Sequence, residues 1–468
     1  MIVYMESPTP QPIHIDASDP LDLLAAWDQD RPVALVRSSP VSSGPWSRWS
    51  MIAEPRGHLR IDSKATWTGD GPPPIDLPSR VDDPISLLQQ VLDSTCPCRN
   101  KVDIPLGNGG QWLAILSYEL GQVLEPAAIG STARAEEPTW PLIDLLWCPT
   151  ALVHDGRDDA WWSIGEAVAP SPTTRTTWQG GIGTPASLPD RSGYTDQVRR
   201  IVEYIHAGDV FQVNLSRRLK ADVDISPRSL ATEAMAGAQP RYGFYAELPG
   251  GNEHEDRVVL SLSPELFLQV EDGDVVTRPI KGTRPATVSC SELIDSEKDA
   301  AELHMIVDLM RNDLGRVCEP GSVHVVEGRT IESHPTVHHG VGEIRGRLER
   351  GTMVSDLLKA TFPPGSITGA PKIRAMQIIH DLEPTHRGPY CGALGWLGAK
   401  DACLSVGIRT LALSGRFSGG FTGFEGIVEY GTGGGIVCDS DPDAEYEETV
   451  HKAVVFEQLA SHSTVGCS

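Results

Sequence analysis

The chain has 468 residues, 40% of them hydrophobic, and a formal net charge of -24. That size allows two or three average domains or one large α/β assembly. The acidity argues against nucleic acid and anionic membrane surfaces as partners, though a small anion could still sit in a local cationic site. Nine cysteines, close together only at Cys96-Pro-Cys98, match neither a zinc site nor a disulfide framework and fit a reducing cytoplasm. The first residues, Met1-Ile-Val-Tyr-Met-Glu6, lack the basic and apolar regions of a signal peptide, and no apolar run approaches membrane-spanning length. The expectation is a soluble intracellular protein.

Residues 1–165 mix short apolar runs with many prolines. Val33-Ala-Leu-Val36 and Trp112-Leu-Ala-Ile-Leu116 read as buried strands, and residues 84–92 as a helix. A segment rich in Pro, Gly, Ser and Thr, 166–192, reads as a linker or surface connection before a second region, 193–463. There Val198, Ile201, Val202 and Ile205 give one apolar helical face, and Gly208 is a plausible stop. The next run, Gln212-Val-Asn-Leu-Ser216, places Gln212, Asn214 and Ser216 on one strand face, which suits a polar cavity or, more commonly, a solvated face.

Pro264 breaks a strand and leaves Glu265 at a turn. Sixteen residues on (281 − 265), Lys281 lies between Ile280 and Gly282, where partial desolvation would lower its pKa and expose a free amine. Alone it would read as a surface lysine beside a turn. A helix follows from about residue 297 to 310, with Glu302 on the face of Met305, Ile306 and Leu309, needing a metal ion, a cation or water as partner. Residues 362–372 introduce another helix, whose free N–H groups near Thr368 and whose Lys372 make an anion site. A nucleotide-binding loop is excluded, because no glycine precedes Lys372 directly and no Ser or Thr follows it.

Leu404-Ser-Val-Gly-Ile-Arg-Thr-Leu411 alternates as one strand, with small Ser405 and Gly407 leaving room around Arg409 to grip a carboxylate. Gly431-Thr-Gly-Gly-Gly435 opens the backbone to close approach but is no dinucleotide fingerprint. Asp441 and Pro442 start the last helix, from which Glu445 and Glu448 project together. With Glu302 they suit an all-oxygen Mg²⁺ site, whereas by themselves they read as helix-dipole compensation.

Together these stretches resemble the chorismate-utilising enzymes: anthranilate, aminodeoxychorismate, isochorismate and salicylate synthases. The resemblance rests on Gln212-Val-Asn-Leu-Ser216, Ser263-Pro-Glu-Leu-Phe267, Pro279-Ile-Lys-Gly-Thr-Arg284, residues 305–316, Pro335-Thr-Val-His-His339, residues 362–372, Gly407-Ile-Arg-Thr410 and residues 433–449. It is strong over about 190–460 and weak before, where only Arg48-Trp-Ser-Met-Ile52 carries it. Gln212 stands where the water-adding members carry a lysine, and Lys281 where anthranilate synthases typically carry alanine. Both point to the aminodeoxychorismate synthase component I branch, which serves para-aminobenzoate and folate biosynthesis. Ala286 and Leu303-His304 depart from the usual pattern without removing a catalytic group.

The resemblance implies one intertwined α+β fold of the anthranilate synthase component I type, two packed antiparallel sheets with helices outside. It implies Lys281 as nucleophile at C2 of chorismate, Glu265 as general acid on the C4 hydroxyl, Gln212 guiding ammonia and His339 near the ring. Arg409, Tyr390 and Gly433, Gly434 and Gly435 would hold a substrate carboxylate, with Thr368 and Lys372 adding positive potential. Glu302 and Glu448, with Glu445, would hold Mg²⁺. No stretch reads as a glutaminase nucleophile motif, so ammonia would come from a separate glutamine amidotransferase subunit. The nearest rival is anthranilate synthase component I. A rival of another class, a noncatalytic amino-acid-binding regulatory subunit, fits poorly with the intact set Glu265, Lys281, Glu302, Arg409 and Glu448.

Overall fold

A computed structural model describes residues 10–39, 48–71, 73–94, 112–132, 137–167, 169–170, 180–251, 254–334 and 337–462. Cys96, Cys98, Pro335 and Thr336 lie outside the described residues. Among those described, thirteen strands form one sheet and eleven another. Met51, Phe244 and Val259 of the first sheet meet Leu113, Ile115 and Leu394 of the second in a core between the two. Helices cover the outer faces. Pro20–Ala26, Pro227–Ala238 and Pro442–His462 bury Leu24, Leu230 and Phe456 in the core cluster that lines the first sheet. Arg191–His206, Glu297–Leu314 and Lys372–Leu382 bury Ile201, Ile306 and Ile379 in the cluster that includes the second. No helix among the described residues is long and apolar enough to cross a membrane.

The regions before 165 and after 193 share both sheets. Ala34–Arg37 pairs with Tyr242–Leu248 in the first, and Trp112–Leu116 pairs with Ala393–Leu397 in the second. Part of the stretch read as a linker is ordered as strand, since Gly180–Ile182 and Ala186–Leu188 both pair with Gln212–Ile225. That strand runs for 14 residues and offers an edge whose main-chain groups need partners.

The site depends on two places where the chain passes from one sheet to the other. Asp256–Ser263 belongs to the thirteen-stranded sheet and Leu266–Glu271 to the eleven-stranded one, with Pro264-Glu265 between them. Pro264 has no N–H to donate, so the ladder stops there. The return runs from Ala402–Val406 to Thr410–Ser418, which corrects the reading of 404–411 as one strand. Gly407 sits so close to the backbone that an added Cβ would lie 2.1 Å from the Pro389 carbonyl oxygen, and Arg409 adopts φ +52. Left-handed backbone ends an extended run. The two crossings lie side by side: Val406 donates its N–H to the Glu265 carbonyl at 3.1 Å, and Leu262 to that of Arg409 at 3.0 Å.

Gly407→Ala should therefore force the crossing apart and lower the unfolding free energy by about 1–3 kcal/mol, read from urea denaturation. Gly237→Ala, where an added methyl meets nothing within 4 Å, should be neutral or mildly stabilising in the same assay.

Candidate active site

The floor of the site is the pairing of Gln212–Ile225 with Gly423–Ile436, in which Asn214 faces Gly435 and Ser216 faces Gly433. Gln212, Asn214 and Ser216 are buried, so their face is not solvated. Its polar groups are partly engaged within the protein: the Ser216 N–H and hydroxyl both donate to Glu383, at 2.9 and 2.8 Å. Arg387 locks this layer from behind, donating to Glu383 and to the carbonyls of Asn214 and Ile367. Gln212 is freer, for its Oε1 has no hydrogen-bond partner among the described residues. A Cβ added at Gly435 would lie 2.1 Å from Gln212 Nε2 and 3.4 Å from Lys281 Nζ. The absence of a side chain there is what lets the amide and the amine reach the same strip of backbone.

Lys281 lies in a register shift of Ile280–Pro285 against Val337–Arg347, between the pairs Ile280 with Val341 and Thr283 with His339. Such bulges re-aim a side chain, and Gly282 at φ +78 permits this one. Burial pushes the Lys281 amine below the ordinary lysine range, outweighing the pull of Glu302, Glu265 and Glu448 towards the charged form. Glu265, at the first crossing, is 3% exposed, and its Oε1 has no hydrogen-bond partner among the described residues. Burial lifts its pKa to about 7 against the opposing effects of Ser366 and Lys281. A carboxyl there can hold its proton near neutral pH, as a general acid must.

Arg409, at the second crossing, has no carboxylate partner among the described residues, and burial depresses its pKa. An unneutralised guanidinium fork in such a place suits a ligand carboxylate. His339, 2% exposed, shares a 2.9 Å hydrogen bond with Thr283. Burial, with Arg409 and His334 nearby, keeps its pKa well below the usual histidine value, so the ring is neutral. The Tyr390 ring lies against Gly431, where a Cβ would come within 2.3 Å of it.

The three glutamates are neighbours on two helices. Burial, reinforced by Asp299 and Glu448 against Lys281 and Lys298, lifts the Glu302 pKa. Burial and Glu448 likewise lift that of Glu445, against a 2.6 Å hydrogen bond from Ser440. Lys452, 2.6 Å away, lowers that of Glu448. Gly434 faces both Glu445 and Glu448, at 3.3 and 3.4 Å from where its Cβ would be. Among the described residues no three His, Cys, Asp or Glu side chains already converge as a metal cage. The donors are nonetheless all oxygens, beside a glycine that leaves room, and this chemistry fits a hard divalent cation such as Mg²⁺.

Two expected substrate contacts have their side chains engaged within the protein, although the Thr368 carbonyl accepts the Asn214 N–H at 2.8 Å beside the floor of the site. The Lys372 ammonium is engaged by Asp313 at 2.5 Å and the Thr361 carbonyl at 2.9 Å, so its charge is neutralised inside the protein. The Thr368 hydroxyl donates to the carbonyls of Pro364 and Gly365.

Residues 40–458 match the family model described as chorismate binding enzyme. The chain belongs to the chorismate-binding enzyme family. It is 35% identical over 453 residues to the aminodeoxychorismate synthase component 1 of Klebsiella aerogenes, covering 88% of this chain and 93% of that one. An anthranilate synthase component 1 of Haloarcula marismortui is 39% identical over 456 residues, covering 88% and 83%. The solved structure of anthranilate synthase component I from Streptococcus pneumoniae superimposes with a TM-score of 0.72 at 26% identity, covering 88% of this chain and 92% of that one. The anthranilate synthase component I-like fold expected from the sequence is thus the one observed.

For a chorismate-utilising enzyme, three residues around these groups escaped the sequence reading. Lys452 follows Glu448 at i+4, a spacing that signals an ion pair on a helix. Lys298 precedes Glu302 at the same i, i+4 spacing, but its 3.7 Å approach to Glu445 depends on the fold, because that glutamate lies on a different helix. Ser366 lies within the motif at 362–372, but only the fold sets it beside Glu265.

Because folded Glu265 holds its proton more tightly than the unfolded chain does, stability should fall as pH rises from about 4.5 to about 7. Glu265→Gln should remove that part of the fall, read as a flatter profile of Tm against pH across this window.

Proposed function

We propose that this chorismate-binding enzyme acts as an aminodeoxychorismate synthase component 1, converting chorismate and ammonia into 4-amino-4-deoxychorismate and water. The observation that carries this reading is Lys281, a half-buried lysine whose amine lies next to the Gln212 amide and within the field of a Glu265 carboxyl whose pKa is near neutral. The Klebsiella aerogenes relative, which the chain matches almost end to end, bears that name.

In this reading Arg409 grips one carboxylate of chorismate, and the open backbone of Gly433, Gly434 and Gly435 lets the substrate approach the sheet. Lys281 Nζ forms a bond to C2 as the ring double bond shifts and the C4–O bond breaks. Glu265 gives its proton to the departing hydroxyl, which leaves as water. Ammonia, oriented by the Gln212 amide, then forms the C4–N bond. The double bond shifts back, the C2–N bond breaks, and Lys281 returns as an amine while Glu265 regains a proton from the ammonium nitrogen. Neutral His339 packs near the ring and adds no charge that would compete with Arg409. Mg²⁺ held by Glu302, Glu445 and Glu448 would neutralise the ring carboxylate. The name component 1 on the relative supports a second subunit here, a glutamine amidotransferase that supplies ammonia.

Anthranilate synthase is the second reading, favoured by the Haloarcula marismortui relative. It would place ammonia directly at C2, and the aminated ring would then lose pyruvate and become aromatic. Lys281 occupies the approach to that carbon, which favours the first reading.

Incubated with chorismate, Mg²⁺ and ammonium, the chain should yield a product that keeps its enolpyruvyl group, with no pyruvate released. EDTA should stop turnover, and glutamine should not replace ammonium without a partner subunit. Mass spectrometry with a coupled pyruvate assay decides the matter, and stoichiometric pyruvate with anthranilate would restore the rival.

Lys281→Ala should lose most of its turnover while its chorismate Kd, measured by calorimetry, stays close to that of the parent. Loss of binding alone would assign Lys281 to substrate recognition instead.

A further inference from the structure

The carboxylate cluster is partly neutralised from within. Lys452 Nζ lies 2.6 Å from Glu448 Oε1 and donates to the Gly433 carbonyl at 2.8 Å. Lys298 Nζ lies 3.7 Å from Glu445 Oε1, and its charge acts on Glu302 and Glu448 as well. Three carboxylates thus face two lysines besides Lys281, whose charged form burial disfavours. Both lysines are held by long, half-exposed side chains, at 49% and 45% exposure, that can swing into water. Neither is locked into the core as Arg387 is. The anchoring also differs between them: Lys452 has a second partner in the sheet, the Gly433 carbonyl, whereas Lys298 approaches Glu445 only to 3.7 Å.

We propose that Lys298 and Lys452 are resident counter-ions of this cluster, and that a divalent cation enters by displacing their ammonium groups from Glu445 and Glu448. This rests on the assignment of the three glutamates as the Mg²⁺ ligands. The physical reason is simple: two ammonium groups beside three carboxylates weaken the attraction of the cluster for a divalent cation, and a carboxylate oxygen taken by an ammonium is not open to a metal. The lysines offset the repulsion among the glutamates while no metal is present, at the expense of metal affinity. The arrangement makes the cluster a switchable ion pair. It also explains how three carboxylates can be neighbours in the free protein without pushing the last helix away.

The test is calorimetric titration of the full chain with Mg²⁺, and Mn²⁺ titration followed by electron paramagnetic resonance, both without substrate and at mildly alkaline pH. Lys298→Met is expected to bind either cation about ten-fold more tightly than the parent. Lys298→Arg, which keeps the charge, should bind like the parent, and Lys452→Met should move in the same direction as Lys298→Met. Circular dichroism confirms that each variant is folded. Glu302→Gln separates the two layers of the argument. If it abolishes cation binding while Lys298→Met leaves affinity unchanged or weaker, the glutamates are the metal site and the counter-ion proposal is overturned. If cation binding is indifferent to Glu302→Gln, the metal assignment fails, and the proposal fails with it.

Discussion

Two of the crossings between the sheets run in opposite directions and side by side, and the rest of the site depends on that constraint. Each crossing interrupts a strand at a residue that cannot continue it, Pro264 in one case and Arg409 at φ +52 in the other. The interruptions turn Glu265 and Arg409 out of the sheets' alternation, and the reciprocal main-chain hydrogen bonds between crossings hold them together. An acid and a guanidinium are thereby fixed on backbone that is itself paired on both sides. Such rigidity is what a reacting geometry needs.

Burial then does opposite things to neighbouring groups. Taking a carboxyl out of water favours its neutral, protonated form, and taking an amine out of water favours its neutral, unprotonated form. The same environment therefore shifts Glu265 and Lys281 each towards its neutral form, one as a proton donor and the other as a nucleophile. Their mutual attraction opposes this, but desolvation is the larger effect for each. The bulge at Lys281 and the bare backbone of Gly435 are the local features that let the amine sit so deep.

The strong negative charge of the whole chain coexists with a site whose cations are selectively paired. Arg387 and Lys372 are tied to Glu383 and Asp313 and support structure. Arg409 is left without an acidic partner among the described residues. Which cation is free for a ligand is settled by these pairings rather than by residue type, and global charge says nothing about it.

Some of this was legible in the sequence because it depends on neighbours along the chain. The apolar face of Arg191–His206, the cap of Pro442–His462 by Asp441 and the break at Pro264 follow from spacing and from the chemistry of single residues. The identities of Lys281, Glu265, Arg409 and the three glutamates were equally visible as motifs. Contacts between distant segments were not. Residues 404–411 alternate like one strand, yet the approach of Gly407 to Pro389 divides them between sheets. Gln212, Asn214 and Ser216 carry the pattern of a solvated face, yet Arg387 and Glu383 close over it. Lys372 stands at a helix start like an anion ligand, yet Asp313, 59 residues away, takes its charge. Local sequence determines which groups are available and which backbone each can adopt. Only the tertiary structure decides which are desolvated and which are already paired, because both depend on partners that spacing along the chain does not encode.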